Sequence, residues 1–123
     1  MPTHHEDDEQ AALFDWAAYY PALRWMHAIP NGGNRNPREA VRLKRQGVKS
    51  GVSDIFLPMV VRSAGGHYAG LYIEMKRRKK DGRSKITNEQ FNFGQDMLKQ
   101  GYKFVVCHGC DEAMKEIKDY AGL

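Results

Sequence analysis

The segment Leu71–Lys76, Leu-Tyr-Ile-Glu-Met-Lys, limits what this chain can fold into. On a strand, alternate side chains leave opposite faces, so Leu71, Ile73 and Met75 share one side and Tyr72, Glu74 and Lys76 the other. The first side is a ready core surface. The second ends in a carboxylate and an ammonium two positions apart, where apolar groups would serve a core better. A second strand-like run, Gly-Val-Ser-Asp-Ile-Phe-Leu-Pro, carries Asp54. Strands are therefore expected over about 52–60 and 68–76, with the turn-rich Arg-Ser-Ala-Gly-Gly-His between them as a hairpin connection. Antiparallel pairing then brings Asp54 toward Glu74. Two carboxylates so close repel unless a cation lies between them.

An oxygen-only site with open positions suits Mg²⁺, which keeps several waters and meets substrate phosphates. Mn²⁺ is expected to substitute. Asp54 and Glu74 are the expected metal ligands, and the carbonyl of Met75 adds a backbone oxygen. Lys76 is placed to orient water or to stabilise charge developing on a phosphate. An exposed acid beside an ordinary cross-strand ion pair is the plainer reading of the same three residues, so their place in the element order matters.

That order is compatible with one α/β domain spanning residues 1–123. Leu13, Trp16 and Tyr20, with Ala12 and Ala17 alongside, predict a helix over about 6–20, stopped by Pro21. Leu-Arg-Trp-Met-His-Ala-Ile reads as a short strand. Asn36, Pro37 and Glu39 open a second helix that Gly47 ends. Thr87 and Gln90 form another capping-box pattern, opening a helix to about Gln100 with Phe91, Gly94 and Leu98 inward. Tyr-Lys-Phe-Val-Val-Cys is a strand. Asp111 is expected to cap a last helix with Met114, Ile117 and Tyr120 inward. The result is a small mixed sheet between helices.

Charge points to the partner. Net charge is +4, and the basic residues gather in Asn34–Lys49 and Lys76–Lys85, while the first fifteen residues hold five acids and no Lys or Arg. Two basic runs flanking a carboxylate cluster suit a polyanion. Arg38, Arg42 and Arg45 make one face of the second helix. With Arg35, Lys49, Arg77 and Arg78 they are the expected DNA contacts. No apolar run approaches the roughly 20 residues that cross a bilayer, and no signal peptide is visible, so a cytoplasmic protein without membrane contact is expected. Cys107-x-x-Cys110 beside His108 lacks the second Cys pair that a structural zinc site needs.

Gly-Val-Ser-Asp-Ile-Phe-Leu-Pro, Gly-Leu-Tyr-Ile-Glu-Met-Lys-Arg, Thr-Asn-Glu-Gln and Gly-Tyr-Lys-Phe-Val-Val-Cys, in this order, resemble the VRR-NUC domain family of the PD-(D/E)xK nuclease superfamily. The superfamily's Pro-Asp is Ser53-Asp54 here. The resemblance covers about Glu9 to Tyr120 and implies a restriction-endonuclease-like fold with an αβββαβ core, its central mixed sheet flanked by helices. It implies a metal-binding Glu on the first helix, matched by Glu9 with Glu6 and Asp8 as rivals, and a Gln after the Glu-x-Lys strand, matched by Gln90. The catalytic set is then Asp54, Glu74, Lys76 and Gln90. A plain capping role for Gln90 stands beside that. The implied activity is Mg²⁺-dependent endonucleolytic hydrolysis of DNA, with branched, flapped or Holliday-junction DNA preferred. The stand-alone form resembles phage or mobile-element proteins. Symmetric cutting by one small domain calls for a homodimer, and no organic cofactor is expected. Two rivals share the basic segments: a DNA-binding module without catalysis, and a subunit of a repair or restriction assembly inactive alone.

Overall fold

The computed structural model describes residues 5–30, 36–63, 66–82 and 84–123. Its helices are α1 (His5–Ala17), α2 (Pro37–Arg45), α3 (Asn88–Lys99) and α4 (Cys110–Ala121). Its strands are β1 (His27–Ala28), β2 (Ile55–Leu57), β3 (Val61–Ser63), β4 (Gly66–Tyr68), β5 (Leu71–Lys76) and β6 (Lys103–His108). One sheet runs β1-β2-β5-β6, and β3 and β4 form a separate antiparallel hairpin. β1 and β2 join antiparallel to their neighbours, whereas β5 and β6 run parallel with α3 as the crossover. This mixed sheet flanked by helices is the restriction-endonuclease-like arrangement.

Alternation along β5 holds. Leu71, Ile73 and Met75 are buried with Ile55, Leu57, Cys107, Leu13, Ala17, Ala113, Ile117 and Tyr120 in a core between the sheet and the pair α1–α4. On the opposite face Tyr72 meets Phe93 of α3 edge-on, and Phe56 and Tyr102 complete the cluster. α3 lies close because Gly94 has no side chain. A Cβ there would fall 2.4 Å from two ring carbons of Phe104 on β6. Gly94→Ala should therefore destabilise the fold by about 2 kcal/mol, since overpacking outweighs the gain in helix propensity. Urea unfolding checks this; an unchanged midpoint would mean that Phe104 moves aside freely.

Several expectations need correction. The first long strand is only Ile55–Leu57: Pro58 cannot donate to a ladder, and the Met59 N–H turns back to the Leu57 carbonyl at 2.9 Å. The second begins at Leu71, because Gly66–Tyr68 pairs in its own hairpin. Of the early strand only His27–Ala28 forms, after a 3₁₀ turn at Pro21–Leu23. On α3 the inward positions are Gln90, Phe93, Gly94 and Met97, while Phe91 and Leu98 are exposed. α4 starts one residue before Asp111, and its buried residues are Ala113, Ile117 and Tyr120, with Met114 half-buried. Asn36 and Thr87 cap α2 and α3 as expected, each side chain accepting the N–H three residues on. Arg35 and the Asn31–Asn34 loop lie outside the described residues.

Candidate active site

Register builds the site. Ile55 pairs with Ile73, so Asp54, one step before β2, stands opposite Glu74. Asp54 Oδ2 accepts the Met75 N–H at 2.7 Å, continuing the ladder with a side chain where the strand has ended. The N–H and C=O of one residue leave a strand on the same edge. The Met75 carbonyl thus points toward Asp54, while the Lys76 carbonyl faces β6 and accepts the Gly109 N–H at 2.9 Å.

Glu74 is buried to 1% exposure and Lys76 to 7%. Glu74 Oε1 accepts from Gln90 Nε2 at 2.8 Å and lies 3.8 Å from Lys76 Nζ. Gln90 Oε1 accepts from Lys76 Nζ at 3.2 Å and from the Thr87 N–H at 2.8 Å. The capping box thus fixes which way the Gln90 amide faces: its oxygen is held by the helix cap, so its nitrogen must turn to Glu74. The capping side chain is thus also the one that contacts Glu74 and Lys76. The same first turn of α3 grips the segment before Asp54. Ser50 Oγ donates to Glu89 Oε2, and a Cβ on Gly51 would lie 2.9 Å from Glu89 backbone and side-chain atoms.

Glu74 Oε2 is buried and has no hydrogen-bond donor among the described residues. Burial pushes the Glu74 carboxyl up to about 8, and the Asp54 charge adds to this; Lys76 opposes it, while a proton shared with the Asp54 carboxylate and, last, the Glu6 charge raise it further. An orphaned carboxylate oxygen facing a second carboxylate is chemistry that a cation completes. The donors are two carboxylates and a backbone carbonyl, a hard oxygen set that fits Mg²⁺ or Mn²⁺.

The first-helix acid lies differently from expectation. Glu9 Oε1 accepts the Cys110 N–H at 2.9 Å and lies 4.0 Å from Arg78 Nε, so it caps α4 in place of Asp111. Glu6 is the α1 carboxylate whose charge reaches Glu74, and its Oε1 accepts from Ser84 Oγ at 3.4 Å. The resemblance, which matched Glu9 and left Glu6 as a rival, did not reveal that nearness.

Among the expected DNA contacts, Arg38, Arg42 and Arg45 line a shallow groove with Val41 and Gln46 on an α2 that buries none of its residues. Lys49 is exposed nearby in sequence. Arg78 is paired with Asp81, its Nε donating to Oδ2 at 2.8 Å, and its side chain stays 43% exposed. Arg77 is half-buried, its guanidinium running along Gly82. Cys107 is buried and its thiol is pushed up to about 12, which makes it an inert core residue rather than a redox thiolate. Among the described residues no three or more His, Cys, Asp or Glu side chains cluster to hold a metal ion, so a cation at Asp54 and Glu74 would have two carboxylates and the backbone carbonyl as its protein ligands.

The VRR-NUC domain model matches residues 4–111. The chain belongs to the VRR-NUC family. A solved structure described as a VRR_NUC domain protein is 30% identical, with a TM-score of 0.78, and the match covers 100% of this chain and 93% of that one. No curated protein matches significantly. Membership in VRR-NUC implies nuclease activity on DNA. No helix among the described residues is long and apolar enough to cross a membrane.

Proposed function

We propose that this VRR-NUC domain is a divalent-cation-dependent DNA endonuclease acting on branched, flapped or junction DNA as a homodimer. The observation that supports it best is the Glu74 carboxylate: buried, facing Asp54, with Oε2 lacking a donor and Oε1 bridged through Gln90 to Lys76. Asp54, Glu74 and the Met75 carbonyl would hold the cation, with Glu6, the α1 acid whose charge reaches Glu74, supporting it electrostatically. Such a cation supplies positive charge to the scissile phosphate and makes water a better nucleophile.

The chain's own residues do the rest. Gln90 holds the Glu74 carboxylate and the Lys76 ammonium in a fixed relation. Lys76, nearly closed off from solvent, brings a positive charge to the phosphate at the moment its oxygens gain negative charge, where low dielectric makes that charge worth most. α2 offers Arg38, Arg42 and Arg45 as a backbone-gripping face. Phosphate contacts carry no base sequence, so recognition led by shape fits this surface.

The test is a cleavage panel of junction, flap, nicked and linear DNA with Mg²⁺, Mn²⁺ and Ca²⁺. Cleavage of a branched substrate with Mg²⁺ or Mn²⁺ is expected, and none with EDTA. Binding without cleavage under every cation would instead favour a non-catalytic module. Sedimentation reports the subunit number. Replacing Arg38 and Arg42 together with Ala should weaken binding to all sequences alike. It should also reduce the slope of log affinity against log salt by about 2, one for each lost phosphate contact. An unchanged slope would make this face merely solvated.

A further inference from the structure

A pocket of about 360 Å³ opens where β5 and β6 end, lined by Lys79, Gly82, Ser84, Lys85 and His108. Its place relative to the acid pair follows from register. Lys76 and His108 are partners in the parallel ladder, so their side chains share one face of the sheet, one strand spacing of about 4.8 Å apart. The Gly109 N–H holds the Lys76 carbonyl and locks this end of the ladder. The pocket therefore continues the line Asp54–Glu74–Lys76 by a single step.

Its mouth is basic and its wall is ordered by hydrogen bonds. The His108 ring is held at Nε2, 3.2 Å from the Ser84 carbonyl, while Nδ1 faces Glu112 Oε1 at 3.8 Å, beyond hydrogen-bond reach. Glu112 backs the wall from α4. Its Oε1 accepts the His108 N–H at 2.9 Å, and its Oε2 lies 3.9 Å from Lys79 Nζ. Glu6 reaches Ser84 Oγ from the α1 side. The exposed Lys79 and Lys85 bring two positive charges to the mouth. A volume near 360 Å³ is in the range that takes a small ligand group.

We propose that Lys79 and Lys85, at the mouth of a pocket that His108 walls, form a subsite that seats an internal phosphate of the cleaved strand next to the scissile one, and so helps set the cut position. This rests on the nuclease reading above. The test measures binding with Ca²⁺ in place of Mg²⁺, on the best-cleaved duplex of the panel. Each duplex of a series carries one neutral methylphosphonate linkage, and a separate arm compares a 5′-phosphate with a 5′-hydroxyl. For the wild type, neutralising one linkage flanking the cut should weaken binding about tenfold, the loss of a charge-assisted contact. In the Lys79→Gln/Lys85→Gln variant that linkage should cease to matter, while sensitivity elsewhere persists. Equal sensitivity at that linkage in both proteins overturns the subsite and leaves the nuclease reading intact. Dependence on the terminal phosphate alone overturns the internal assignment. A wild type that neither binds nor cuts any DNA removes the nuclease reading, and the subsite with it.

Discussion

Replacing Glu74 with Gln should abolish DNA cleavage and, in the same protein, stabilise the cation-free fold above pH 8. The first effect follows from losing one of two carboxylates placed to hold the cation, a loss of several kcal/mol of transition-state stabilisation, or at least ~10³-fold in rate. The second follows from burial. Glu74 titrates near 8 in the folded chain against an ordinary value of 4.5, so the folded state holds its proton more tightly than the unfolded state. The resulting contribution to stability is complete below pH 4.5 and is lost as pH rises through 8. Without a cation, the wild type should therefore lose a few kcal/mol over that window. The amide has no proton to lose, and it fits: its oxygen keeps the Gln90 Nε2 donor while its nitrogen faces Asp54. Thermal unfolding in EDTA at pH 5 and pH 9 should show a steep drop for the wild type and a flatter line for Glu74→Gln. Mg²⁺ should restore the wild type at pH 9 and leave the variant unmoved. Parallel pH lines would show that Glu74 is not titrating in that window.

Lys76→Met should slow cleavage at saturating DNA by roughly 10²–10³-fold while changing DNA affinity little. The side chain is nearly buried and its ammonium meets Gln90 Oε1 and the Glu74 carboxylate, so its charge serves the site more than the DNA surface. A separate signature accompanies the rate. Lys76 opposes the upward push on the Glu74 carboxyl, so removing it should raise that value further and shift the acid limb of the pH–rate profile to higher pH. Comparable losses in rate and affinity, with an unmoved acid limb, would reduce Lys76 to a phosphate contact.

What was legible in the sequence was what local chemistry decides. A cap is a matter of three or four residues, and Asn36 and Thr87 accept the N–H groups that their spacing demands. The alternation of β5 sorted core from site because a strand has only two faces. Glu74 opposite Asp54 needed only one antiparallel pairing. The misses are long-range. The cap of α4 comes from Glu9, 101 residues away, which no pattern near Asp111 could announce. On α3 Gly94 faces in as expected, but it is flanked by Phe93 and Met97 rather than Phe91 and Leu98; both pairs are apolar, so the pattern alone does not choose between them. Here the closest approach to β6 requires the absence of a side chain at Gly94, and Phe91 and Leu98 are left outside. β2 ends early for a local reason, Pro58, that the apolar run around it outweighed.

The first turn of α3 holds three things at once: its own cap through Thr87, the Glu74–Lys76 relation through Gln90, and the approach to Asp54 through Glu89 and Gly51. Helix ends fray more readily than helix middles and open without the rest of the fold. Here, fraying of that single turn releases the amide from Glu74 and Lys76 and loosens the segment leading to Asp54. For this chain, the local opening that exposes the Thr87 and Gln90 amides to hydrogen exchange and the dismantling of the acid–lysine arrangement are one event. The fraction of molecules with a competent site is thus set by the stability of one helical turn, well below the stability of the whole protein.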